Sequence, residues 1–158
     1  MRRCAALGVL AFLVVLPPGR SEASDQLQRE VVAPLYTGYR EAAGALAAVE
    51  PDCGAWREAL RPPFSHSLLA WRRLEALGYG PAADPETVAR VYFWPDKHGT
   101  AGRQLAAALR ARDARLETAA GLEGQSAGLQ SLAALEQLLH GEIADAEGFG
   151  CRYGLAIA

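Results

Sequence analysis

The 158-residue chain predicts an all-α fold, a helical bundle of about five or six helices. Three observations carry that expectation. Apolar residues return at three- and four-residue spacings in almost every segment. Alternation of period two is absent, and Pro- and Gly-rich punctuation cuts the chain into helix-length pieces. Hydrophobic residues make up 51% of the chain, which suits one domain with a core and argues against disorder.

The first residues read as a cleaved signal peptide covering residues 1–23. Arg2 and Arg3 precede an unbroken apolar run from Ala5 to Leu16, and Pro17, Pro18 and Gly19 end it. At about 12 residues the run is too short to cross a bilayer core of ~30 Å, but it has the length of a secretory h-region. Ser21 and Ala23 supply small side chains at the −3 and −1 positions of a cleavage site. Cys4 precedes the apolar run, so it is not a lipoprotein cysteine. Removing this leader takes Arg2, Arg3, Arg20 and Glu22, leaving the mature domain, residues 24–158, two charges more acidic than the formal −2 of the whole chain.

Asp25 to Glu50 carries Leu27, Val31, Leu35, Ala42, Leu46 and Val49 on one helical stripe, with Pro34 expected to kink or restart the helix. Pro51-Asp52-Cys53-Gly54 is a turn. Pro62-Pro63 suits the first turn of a helix bearing Phe64, Leu68, Trp71 and Leu74, which Gly78-Tyr79-Gly80-Pro81 ends. Asp84 as N-cap, Pro85 and Glu86 open the next helix, carrying Val88, Val91 and Tyr92 until Trp94-Pro95-Asp96 breaks it. Thr100 to Ala120 reads as one long helix, with Leu105, Ala108, Leu109 and Leu116 inward and Arg103, Arg110 and Glu117 outward. Gly121 and Gly124 flank a junction before another helix, GLQSLAALEQLLHG, from Gly128 to Gly141. Gly148-Phe149-Gly150 and a short apolar tail, Tyr153 to Ala158, follow.

Of the three cysteines, Cys53 and Cys151 survive leader removal. In an oxidising compartment they most simply form one disulfide, worth about 4–5 kcal/mol for so long a loop. The alternative is two buried free thiols. The chain has no basic block that would follow a phosphate backbone, so nucleic acid is not an expected partner, and the mature chain has no transmembrane segment. It also lacks a phosphate-binding glycine loop, paired-cysteine zinc spacing and HExxH.

His66, His98 and His140 are scattered, and only His140 has an acid at helical spacing. Glu136 and His140 are four residues apart, so both side chains reach toward one point and form a candidate metal pair. On a helical projection Leu129, Leu132, Leu135 and Leu139 form the apolar stripe, with Glu136 at its edge and His140 further round. That placement favours a half-solvated or arginine-paired carboxylate over a ligand. Glu75 is less expected, because it falls in line with Phe64, Leu68 and Trp71 on an apolar face. Burying it alone is costly, so it needs a partner: Arg72, Arg73, an arginine from another helix, or an ion. An ion pair is the favoured answer.

Several segments, in order, resemble the imelysin-like family of bacterial envelope proteins. They are Cys53, FSHSLLAWRRLEALGYGP from Phe64, VYFWPDKHGTAGRQLAAAL from Val91, SAGLQSLAALEQLLHG from Ser126, and CRYGLAIA from Cys151. They cover nearly all of the mature chain. The resemblance implies helical bundles, export to the periplasm or outer membrane, and an association with iron regulation or uptake. Imelysin itself is known as an insulin-cleaving membrane protease with a GxHxxE motif proposed to bind metal. Carried onto this chain, that motif runs from Ser131 to Glu136, with Ser131 at the glycine, Ala133 at the histidine and Glu136 at the glutamate.

Alanine has no donor atom, so the family's His/Glu pair is broken, which speaks against peptidase activity and weakens metal binding. The resemblance therefore implies an exported, non-catalytic binding component linked to iron or another divalent metal, with a metal ion or an envelope protein as partner. A metal-dependent peptidase is the main rival. Family members are about twice as long, with a second bundle, so the chain is also expected to be truncated at its C-terminus. A fragment without independent function is the third reading.

Overall fold

A computed structural model describes residues 22–50, 52–141 and 148–158. The expected leader lies outside the described residues as far as Ser21, and so does Pro51 of the first turn. Among the described residues every regular element is helical, as the apolar spacing predicts. No helix among them is long and apolar enough to cross a membrane.

Helix α1 (Glu22–Leu27) passes through a π-helical turn (Gln28–Val32) into α2 (Ala33–Ala47). Pro34 has no N–H to donate and its ring crowds the preceding turn. The wider turn accommodates it: the Ala33 N–H bonds the Gln28 carbonyl five residues back, and the helix continues.

Helix α3 (Trp56–Leu77) begins earlier than the prolines suggest, so Pro62 and Pro63 lie inside it rather than opening it. Asp52 sets the earlier start, its carboxylate accepting from the N–H groups of Gly54 at 2.7 Å and Ala55 at 3.2 Å. The extra turns bury Trp56 and Leu60 in the core. Each contributes about 1.5–3 kcal/mol, of the same order as the ~3 kcal/mol cost of an interior proline.

Gly78 ends α3 in the left-handed conformation, φ 60°, donating to the carbonyls of Leu74 and Glu75. Asp84 caps α4 (Pro85–Val91), accepting from the Thr87 N–H at 2.8 Å. The long helix expected over Thr100–Ala120 is in fact broken. After α5 (Thr100–Ala111), Arg112 turns left-handed at φ 50°, and a 3-10 turn (Ala114–Glu117) and a short α6 (Ala119–Leu122) follow. The turn buries Leu116 and brings Glu117 to Arg152.

The Gly128–Gly141 stretch is likewise two pieces, α7 (Ala127–Gln130) and α8 (Leu132–His140), divided at an extended Ser131. Helix α9 (Phe149–Ile157) closes the described chain.

The main core gathers Leu60 and Phe64 of α3, Leu105 of α5, Leu135, Leu138 and Leu139 of α8, and Tyr153 of α9. A second cluster joins Trp71 and Leu74 to Ala82, Tyr92 and Ala133. Helices α2 and α3 pack along each other, and the Ser67 hydroxyl donates to the Ala42 carbonyl at 2.8 Å. Gly154 lets α9 lie against α3, because a Cβ there would stand 2.8 Å from the Trp56 ring. The Cys53–Cys151 disulfide forms, with Cα atoms 5.5 Å apart and a sequence separation of 98.

Candidate functional site

The site lies where the two clusters meet. Helix α8 presents Glu136, and the extended strand of chain after α4 presents Tyr92, Phe93 and Trp94. Together with His140 and Gln137 they line a cavity of about 330 Å³. A more open groove of about 440 Å³ runs past Tyr36 and Tyr79, but no acid or histidine lines it. The Glu136 cavity is therefore the better candidate for chemistry.

Side chains of α3 hold one end of α8. At its C-terminus the guanidinium groups of α3 donate to carbonyls that the helix leaves unbonded, Arg57 to Leu138 and Arg61 to Leu139, each at 3.0 Å. At its N-terminus stands Ser131, 1% exposed, whose hydroxyl has no partner among the described residues.

Glu136 accepts a hydrogen bond from the Tyr92 phenol at 2.6 Å. The Arg72 guanidinium lies over the Tyr92 ring, 4.2 Å from its centroid, and pairs with Glu75 at 2.6 Å. The expected ion pair of Glu75 therefore forms within its own helix, and it is half-buried. Burial first, and then the Glu136 carboxylate, raise the Tyr92 pKa above its ordinary value, with Arg72 opposing them. The phenol thus stays a donor through the neutral range.

Asp96 also lines the cavity, but its carboxylate serves α5. Its two oxygens accept from the N–H groups of Thr100 at 2.7 Å and Ala101 at 2.8 Å. Burial alone would raise its pKa; the backbone donors outweigh that and hold it below the ordinary carboxylate range. Asp96 of the family-like segment thus anchors the first N–H groups of α5.

The residues expected to form a metal pair share the cavity wall, yet they do not make a ligand set. Glu136 is half-buried and bonded to Tyr92, while His140 is exposed, with its ring 6.2 Å from that of Phe64. Among the described residues, no three His, Cys, Asp or Glu side chains converge to hold an ion. His66 borders a shallow groove between α2 and α3, and the carbonyl of His98 accepts from Arg103.

Ala133, at the position of the family histidine, is 8% exposed and packs in the cluster of Trp71 and Tyr92. The donor set thus does not fit the metal proposed for the motif. Tyr92 escaped sequence reasoning because it meets Glu136 across 44 residues of chain; Arg72 is legible as a partner for Glu75 but not as the cation over the Tyr92 ring. One signal did mark the region: a polar-tipped aromatic beside the conspicuous Trp94-Pro95-Asp96.

No curated protein and no solved structure matches the chain. The family model for imelysin matches residues 32–158, which includes α8, the Tyr92 segment and both bridged cysteines. The chain belongs to the imelysin family.

Proposed function

We propose that the mature domain, residues 24–158, is an exported binding component of the cell envelope, in the periplasm or at the outer membrane. It works without catalysis, in a process tied to iron or another divalent metal. The observation that carries this reading is Ala133. Where the motif needs a histidine, a methyl group is packed against Trp71 and Tyr92, and the one remaining acid, Glu136, is bonded to a phenol. A peptidase metal needs about three protein ligands and an open position for water. The disulfide supports an oxidising compartment, and the link to iron rests on family membership.

The test is elemental analysis and iron titration of the purified exported protein, with Glu136→Ala as control, alongside incubation with insulin B chain. No chelator-sensitive cleavage is expected. Cleavage that needs a divalent ion and disappears in Glu136→Gln would establish the rival, a metal-dependent peptidase, which the shared cavity wall of Glu136 and His140 favours.

A further inference from the structure

Building on the reading of the Glu136 cavity as a binding site, we propose that it receives an organic cation, a guanidinium or primary ammonium group carried on a short alkyl arm.

Charge is the first argument. Two acids line the cavity, and Asp96 has both oxygens on backbone N–H groups. Glu136 has one oxygen on the Tyr92 phenol, and a carboxylate offers about four lone-pair sites, so it can take a further donor. Arg72, the cation over the Tyr92 ring, is already paired with Glu75 at 2.6 Å. The other titratable side chains on the wall are the Tyr92 phenol and the exposed His140 imidazole. Among the described residues, the cation of this cluster is thus matched to Glu75 rather than to Glu136.

The wall is the second argument. Tyr92, Phe93 and Trp94 give the cavity three consecutive aromatic residues. Trp94 is 62% exposed, whereas Trp56 and Trp71 are 2% exposed and packed in the core. An indole left open beside a carboxylate suits a cation, which is attracted to the ring face by about 0.5–2 kcal/mol.

Donor count and size decide the kind of cation. A hard metal ion wants six or more oxygens, and a transition metal about four donors, while this wall provides one carboxylate besides the Asp96 carboxylate engaged at the start of α5, and one exposed imidazole. An alkylguanidinium needs only one carboxylate and ring faces. At about 330 Å³ the cavity is at the small end of ligand pockets, right for one side-chain-sized group and too small for a large cofactor.

The experiment titrates the exported, disulfide-intact protein with n-butylguanidinium and with its neutral isostere n-butylurea. Trp94 fluorescence and calorimetry are read together, because the other two tryptophans are buried. Butylguanidinium should bind saturably, with butylurea at least tenfold weaker. Glu136→Gln keeps an acceptor for the Tyr92 phenol but loses the charge, and should weaken butylguanidinium at least tenfold. Trp94→Leu, at an exposed position, should abolish the optical signal and weaken calorimetric binding several-fold.

Equal affinity for the two isosteres, or binding unchanged in both variants, overturns the proposal. So does a protein that ignores butylguanidinium but binds zinc or ferrous ion through Glu136. In none of these cases does the non-catalytic reading fall. That reading fails on chelator-sensitive cleavage of insulin B chain, whatever butylguanidinium does.

Discussion

The Tyr92 phenol donates to Glu136 at 2.6 Å while its ring lies under the Arg72 guanidinium, so this one side chain touches a charged group of each sign. Its raised pKa makes ionisation harder in the fold than in the unfolded chain. The resulting stability is fully present below about pH 10, the unfolded value, and is lost as pH rises through the higher folded value. Burial raises Tyr39 and Tyr153 in the same direction. Urea denaturation across the alkaline range should therefore show stability falling above about pH 10, with a shallower fall in Tyr92→Phe. At neutral pH the same substitution should cost about 1–2 kcal/mol, since it removes a hydrogen bond to a charged group. Ala133 sets the opposite problem. Restoring the family residue as Ala133→His forces a ring into the cluster of Trp71 and Tyr92 at an 8% exposed position. Without added metal it should destabilise by about 1–3 kcal/mol, read as a lower denaturation midpoint; an unchanged midpoint would show that the cluster has room for a ligand.

Helix α8 carries Glu136 and depends on arginines of α3 for its C-terminal carbonyls. Arg61→Ala leaves the Leu139 carbonyl without its charged donor, and a loss of about 1.5–3 kcal/mol is expected by thermal or urea unfolding. Hydrogen exchange should rise in the last turn of α8 before it rises in α3; equal protection in wild type and variant would remove the capping role. This dependence also explains what the chain alone reveals of its elements. The Asp84 cap and the Gly78 stop are legible because their partners lie within four residues. The break at Arg112 is not, because it is set by Leu116 reaching the core and Glu117 reaching Arg152, 35 residues away. The same holds for Pro62 and Pro63, whose helical placement follows from Trp56 and Leu60 being buried by other helices. At the site, Glu136 stands out through its motif position and Asp96 through its turn. Tyr92 and Arg72 gain their roles only when α3, α4 and α8 are brought together.

Across the whole molecule, the strongest long-range constraint is the Cys53–Cys151 bridge, which ties the turn before α3 to α9 over a separation of 98 residues. For a loop of that length the loss of unfolded-state entropy corresponds to about 4–5 kcal/mol. Beside the bridge, Arg152 makes a two-pronged contact with Glu117, with both nitrogen–oxygen distances 2.8 Å. This pair holds the Glu117 carboxyl below its ordinary pKa, chiefly through the hydrogen bonds from Arg152. Its contribution is present above the unfolded value and is lost as pH falls through the folded one. The two ties separate experimentally. Replacing both cysteines by serine should lower the melting temperature by roughly 8–20 °C at neutral pH, given about 2–4 °C per kcal/mol for a chain of this size. Glu117→Gln should change it far less at neutral pH, since Arg152 is half-exposed and the pair is screened by water, and should flatten the profile only on the acid side. Thiol labelling of the unreduced exported protein should find neither Cys53 nor Cys151 free. If both are labelled in protein that still melts at the wild-type temperature, then packing of Phe149, Tyr153 and Gly154 against α3 and α8, rather than the bridge, is what keeps α9 on the bundle.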